Sequence, residues 1–307
     1  MRTPTLRIHA AGIRYFDAVR RAGSIRGAAR QLNVASSAVN RQILNLEAEL
    51  GTELFNRLPA GLQLTAAGEI VARHVIAVLR DGERAVSELD ALQDLRLGHV
   101  ELATLEGLCH RIAPAAITAL HRRTPRVTVR TAILATSQIP GAVINGDAHL
   151  GLAFEVRRQP ELRQIAMARF RLGAVVLPDS PLAGKSSVTL HDCAAFQLIL
   201  PNANFANRDQ LHPIFFESQM AARGRYEASS IELMKQLVLA GLGVAFMTRI
   251  GIETDLDTGR LAHVPLRLAG RPVFSELGLY ARAATALPIA AEALVQHFVE
   301  LLENEAS

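Results

Sequence analysis

The stretch from Ser24 to Leu50, SIRGAARQLNVASSAVNRQILNLEAEL, is the part of the chain that most restricts its fold. Its apolar residues keep helical spacing on both sides of a short polar break. Upstream, Ile13, Phe16 and Val19 recur at three-residue steps and predict a first helix over 11–22, with Arg14, Arg20 and Arg21 off the stripe. Gly23 marks its end, and Ser24 can cap the next helix with its hydroxyl. There Ile25, Ala28, Ala29 and Leu32 form the inward face, and the small Ala28-Ala29 pair lets two helices cross closely. Asn33 suits the turn, and Val34 is expected to plug the core between helices. A third helix is expected from Ser36, with Val39, Ile43, Leu46 and Leu50 inward and Gly51 closing it.

The side chains off that last seam are Ser36, Ser37, Asn40, Arg41 and Gln42. Amides pair with adenine edges, guanidinium groups with guanine or phosphate, and hydroxyls with either. Taken alone, such a face also fits an ordinary solvated helix. Charge favours the first reading. Residues 1–60 carry nine arginines against Asp17, Glu47, Glu49 and Glu53, an excess of five positive charges, whereas the whole chain is only +4. A local basic excess of this kind suits a polyanion. Next, the alternating ends of Leu54–Leu64, around Pro59-Ala60-Gly61, predict a two-stranded wing, with Arg57 beside the neighbouring groove. The candidate DNA contacts are therefore Ser24, Arg26, Ser36, Ser37, Asn40, Arg41, Gln42 and Arg57. The arginines would hold mainly phosphate, and the short polar groups would read or orient.

Thr65 can cap a long helix reaching about Leu95. Within it Val71, Val75, Val78, Gly82, Ala85, Leu89 and Leu92 alternate steps of four and three, a heptad seam that predicts pairing with a second copy. A helix packed on its own domain is the competing reading. After Gly98 the pattern changes. Short β-rich runs (VELATL, VTVRTAIL, HLGLAF, LGAVVLP, FQLILP, GVAFM, LGLYA) alternate with helical ones, which predicts an α/β architecture with largely parallel sheets. Such sheets bind ligands beyond the carboxyl ends of their strands. The loops there nominate Thr104, Glu106, Thr136, Ser137, Asn202, Asn204, Ser229 and Ser230 as effector-binding candidates, with Glu155 nearby.

Positions 13–68 resemble the N-terminal domain of LysR-type transcriptional regulators, in the strings IRYFDAVRRAGSIRGAARQLNVASSAVNRQILNLEAELGTELFNR and LQLTAAGE. The remainder is similar more loosely, through GHVELAT, VINGDAHLGLAF, VVLPDSPLAG, SSIELMKQLVLAGLGVAFM and GRLAHVPL. The resemblance implies a winged helix-turn-helix over 8–65, a dimerising linker helix over 66–97, and an effector-binding domain over 98–307. That domain would be two-lobed like periplasmic binding proteins, with lobe one at 98–168 and 268–307 and lobe two at 169–267. It also implies a dimer of dimers that binds promoter DNA and is controlled by a small molecule between the lobes, with RNA polymerase a candidate partner. Family recognition helices often open with Ser-Gln-Pro; here Ala35-Ser36-Ser37 stands there, and Asn40 replaces a frequent serine.

Other classes fit less well. A solute-binding protein of a transport system would explain the C-terminal two-thirds but has no use for the helix-turn-helix. An enzyme is suggested only by Cys109-His110 and His191-Asp192-Cys193, and neighbours in sequence rarely face each other. No catalysis, cofactor or metal is expected. No apolar run is long enough for a membrane span, and the N-terminal segment lacks the features of a secretory signal, so a cytoplasmic location is expected. The two cysteines are far apart and match no metal spacing, which suggests incidental thiols.

Overall fold

In a computed structural model of the chain, residues 12–59, 61–92, 98–202, 224–283 and 285–305 are described. Two units separate, Met1–Glu83 and Arg84–Ser307.

In the first unit, helix α1 (Gly12–Ala22) buries Ile13, Phe16 and Val19, each contributing roughly 2 kcal/mol through burial. Asp17 is also buried, and Arg20 and Arg21 pair with it at 2.7 and 2.8 Å. Gly23 takes φ +61°, a left-handed conformation that glycine adopts without penalty, and the chain turns there. Ser24 then caps α2 (Ile25–Leu32), its Oγ accepting the Gly27 N–H at 3.1 Å. Ala28 and Ala29 are buried in the core that α2 shares with α1 and α3 (Ser36–Leu50). Asn33 is left-handed, as a tight turn requires. On α3, Val39, Ile43 and Leu46 are buried, and Gly51 ends the helix. Val34 departs from expectation. It lies on the exposed side of the turn, 36% accessible, because the small Ala28-Ala29 face brings the helices close enough that no plug is needed.

Strands β1 (Phe55–Leu58) and β2 (Gly61–Leu64) pair antiparallel, Phe55 opposite Leu64, and form the wing. Two ties hold it. Glu47 Oε1 accepts the N–H groups of Leu54 and Phe55 at 2.8 and 3.3 Å, and the Leu62 N–H donates to the Gly23 carbonyl at 2.8 Å. Thr65 caps α4 (Ala66–Leu92), accepting the Gly68 N–H at 3.0 Å. Gly68 has no room for a side chain, since a Cβ there would lie 2.1 Å from the Leu54 carbonyl oxygen. The heptad seam on α4 divides. Val75 is buried, and Val71 and Val78 pack partly buried in the first unit's own core, so over that stretch the competing reading holds. Ala85 and Leu89 are exposed. Residues 93–97, the end of the expected linker, lie outside the described residues.

The second unit holds two five-stranded sheets. The first contains β3 (Gly98–Thr104), β4 (Val127–Ile133), β5 (Leu150–Phe154) and β6 (Leu162–Arg171). Helices α5 (Ile112–Arg123) and α6 (Ile139–Ile144) connect its parallel strands. The chain passes to the second sheet at β7 (Gly173–Val176) and continues through α7 (Leu190–Cys193), β8 (Leu198–Pro201), β9 (Gly224–Ala228) and α8 (Ile231–Leu239). β10 (Val244–Met247), α9 (Glu253–Asp257) and β11 (Ala262–Pro265) complete it. A small hairpin, β12 (Arg267–Leu268) with β13 (Arg271–Pro272), precedes the return to the first sheet on β14 (Phe274–Arg282), and α10 (Ile289–Glu305) follows.

The strand orders are β4-β3-β5-β14-β6 and β11-β7-β10-β8-β9. Each sheet is more mixed than the alternation of segments predicts. β14 runs against both of its neighbours, β5 and β6, and β7 runs against β10 and β11. Each is the strand on which the chain arrives from the other sheet, a path that does not return through a parallel crossover. The strands that do, β3, β4 and β5 in one sheet and β8, β9 and β10 in the other, are parallel.

Helices cover both faces, so the central strands read as unbroken apolar runs. In the first sheet Leu102, Leu150, Leu152 and Leu279 pack with Ile112 and Leu120 of α5 and Leu294 and Phe298 of α10. Ala103 and Ala153 face Ile139 and Val143 of α6. In the second, Val176, Leu198 and Phe246 face one side, and Val175, Ile199 and Met247 meet Met234 and Val238 of α8 on the other.

Candidate functional site

Among the described residues, one groove stands out in the first unit, and the second unit holds a cavity between its sheets and a separate, larger groove of about 720 Å³ lined by Arg111, Arg171, Arg249 and His263. The first unit's groove, of about 460 Å³, lies between the start of α2, the outer side of α3 and the wing. Ser24, Asn40 and Arg57 all line it. Arg26, Ser36, Ser37 and Arg41 are exposed, and Gln42 is half-buried. The Ser24 hydroxyl is committed to its cap, which leaves one oxygen lone pair and the hydroxyl proton for a ligand. Asn56, exposed on the wing and lining the same groove, was missed from the sequence; it sits beside Arg57 on a strand whose partner and tilt are not local information. Ala35, at the N-cap of α3, offers no side-chain oxygen to the first-turn N–H groups.

In the second unit, a cavity of about 370 Å³ opens between the two sheets. Glu106, Thr136, Ser229 and Ser230 line it, so four of the eight candidates meet there. The others do not. Thr104 is fully buried on β3, its hydroxyl without a hydrogen-bond partner, outside the lining. Ser137 is exposed on the neighbouring turn, and Asn202 is half-buried, its N–H donating to Ala228. Asn204 lies outside the described residues. Glu155, with φ +53°, turns back to accept from Ser275 Oγ at 3.0 Å and the Glu276 N–H at 2.7 Å, a structural use of its carboxylate. Thr248, directly after β10, is a lining residue that the strand-end rule could have found, because GVAFM is followed by it.

Glu106 and Ser230 are joined to each other. Ser230 Oγ donates to Glu106 Oε1 at 3.0 Å, and the Ile231 N–H, the first of α8, donates to Oε2 at 2.8 Å. Ser230 also caps α8 by accepting the Leu233 N–H at 3.1 Å. Gly107 allows this approach; a Cβ there would fall 2.7 Å from the Ile231 side chain. Further along α8, Lys235 binds Glu232 at 2.7 Å and Asp255 at 3.2 Å. Burial opposes the Lys235 charge, but the hydrogen bonds to these carboxylates outweigh it and its pKa rises.

In the segments that suggested an enzyme, one carboxylate serves a helix cap. Asp192 accepts from Lys185 and Thr189, which lowers its pKa, and completes a capping box on α7. Burial, then the Asp192 charge, pushes the Cys193 thiol up to about 12. Burial, then Glu106, raises Cys109. Among the described residues no cluster of His, Cys, Asp and Glu is arranged to hold a metal, and no helix is long and apolar enough to cross a membrane.

Residues 11–69 match the bacterial regulatory helix-turn-helix protein, lysR family, and residues 93–303 match the LysR substrate binding domain. The chain belongs to the LysR family of transcriptional regulators. It is 30% identical over 247 residues to the transcriptional regulator CysB of Burkholderia cenocepacia, covering 79% of this chain and 78% of that one. It is 27% identical to CbbR of Rhodospirillum rubrum, over 94% of each. A full-length OxyR variant from Pseudomonas aeruginosa shares the fold with TM-score 0.70 at 19% identity, over 94% of this chain and 93% of that one. CbnR complexed with its target DNA gives 0.54 at 23%, over 96% and 99%. This LysR-type protein is thus a DNA-binding transcriptional regulator with an effector-binding domain. These relatives are named as regulators, not as transport solute-binding proteins.

Proposed function

We propose that this regulator reads double-stranded DNA with α3 and the wing, and that a small molecule in the 370 Å³ cavity biases how it does so. The observation that carries the first half is the shared groove, in which Asn40 of the helix, Arg57 of the wing and Ser24 of the capping turn come together. Arg26, Arg41 and Arg57 hold phosphates, while Ser36, Ser37, Asn40 and Gln42 read or orient. Residues 8–65 do the reading, 66–97 link, and 98–307 hold the effector. Val86 and Leu89 on α4, each 58% exposed, support pairing with a second copy and from there a dimer of dimers. The protein works in the cytoplasm, where its DNA lies, with RNA polymerase a candidate partner, and it catalyses nothing itself.

Control works as a population shift: the effector must bind one arrangement of the protein better than another. Glu106 and Ser230, drawn from opposite sides of the cavity, support that reading because a ligand there touches both lobes.

The test of the DNA half is Arg41→Ala. Gel-shift titration over salt should show weaker binding to every sequence and a salt slope lower by about one unit. Unchanged affinity and slope would overturn the assignment.

A further inference from the structure

The cavity's chemistry says what kind of molecule it takes. Its walls are mainly apolar, formed by Leu105, Ile133, Phe154, Ile231, Met247 and Ile250. No lysine, arginine or histidine lines it among the described residues. Its volume of about 370 Å³ falls inside the usual range for small-molecule sites, about 300–1,000 Å³.

A helix N-terminus facing a cavity would ordinarily favour an anion. Here that position is filled from within. Both oxygens of Glu106 are engaged at the start of α8, one by Ser230 Oγ and the other by the Ile231 N–H. The Ser230 oxygen meanwhile accepts from Leu233, so its one proton is spent on Glu106 and none remains for a ligand carboxylate. Lys235, the lysine on α8, is held by Glu232 and Asp255. An incoming carboxylate would therefore meet a negative charge with no lysine, arginine or histidine among the described lining residues to offset it. A hydroxyl, amide or ammonium group would find the Glu106 oxygens as acceptors, in a cavity that Thr136 and Ser229 also line.

We propose that the effector is a largely apolar molecule carrying a neutral or cationic hydrogen-bond donor, not an organic anion, and that Glu106 sets this choice. The proposal rests on reading the cavity as the effector site.

The experiment uses the full chain and two matched sets of probes: phenylpropanol, phenylpropylamine and phenylpropanoate, and hexanol, hexylamine and hexanoate. Binding is followed by isothermal titration at pH 7, with circular dichroism as the check on folding. In the wild type the alcohol and amine should bind at least about tenfold tighter than the carboxylate. Glu106→Gln keeps an acceptor for Ser230 but removes the charge, and should bring the carboxylate within about threefold of the alcohol. Equal or tighter carboxylate binding in the wild type overturns the inference, as does an unchanged gap in a folded Glu106→Gln variant. Failure of every probe to bind overturns it too. The wild-type ranking decides by itself if that variant does not fold. Ala135→Phe fills the cavity and should abolish binding. Retained binding there overturns the cavity as the effector site and this inference with it, whereas lost binding with no charge ranking overturns the inference alone.

Discussion

Ser24, Asn40 and Arg57 meet in one groove from within 33 residues of one another; Glu106 and Ser230 meet across 124 residues. The first site follows from local choices: a cap, a left-handed asparagine, a pair of alanines and a two-strand turn. The second exists only because two sheets, each fed by a strand from the other, bring two loops together. The polar groups also differ in use. On α3 and the wing they are left facing outward, as recognition of a polyanion requires. In the cavity two of them satisfy each other, so that site selects partly by what it has already occupied.

This contrast can be broken in several ways. The largest expected effect is at Ala28, which is wholly buried where α2 packs into the first unit's core. Ala28→Leu should cost about 3 kcal/mol by overpacking, seen as a lowered unfolding transition and loss of operator binding. A variant that keeps both would show that the close crossing is not what holds the DNA-reading unit.

An intermediate effect tests the non-local unit. His263 packs over Gly173, a Cβ of which would lie 2.6 Å from the ring, and its Nε2 donates to the Met247 carbonyl at 3.1 Å. Burial, then the Arg249 charge, holds its pKa down to about 4 from an ordinary 6.5. The unfolded chain takes up a proton that the folded chain refuses. The stabilisation is therefore complete above pH 6.5 and is lost as pH falls from 6.5 to about 4. Urea unfolding across that window should show a fall of about 3 kcal/mol that His263→Gln largely removes. An unaltered slope in the variant would place the acid sensitivity elsewhere.

The smallest effect sharpens the local half. Ser24→Ala removes the hydroxyl that accepts the Gly27 N–H and should cost about 1 kcal/mol, measured by chemical denaturation. A loss of operator affinity well beyond that of the destabilisation would assign Ser24 a direct DNA contact besides its cap.

The amino-acid sequence by itself determined the helices of the first unit, their caps and turns, the wing and most of the strands, because spacing, capping and turn chemistry act over a few residues. It also carried the family, through residues whose order is local. Tertiary structure decided the rest. Val71, Val75 and Val78 obey the heptad whether they face a second copy or their own core, since both partners ask for the same spacing; packing assigned them to the core. Val34 is apolar enough for an interior that the close helix crossing leaves no need to fill. Thr104 and Thr248 both follow or end strands, yet only Thr248 borders the cavity, because the cavity's edge depends on how two sheets close. The union of Glu106 with Ser230 depends on the same closure, and no local rule reaches across the two sheets that produce it.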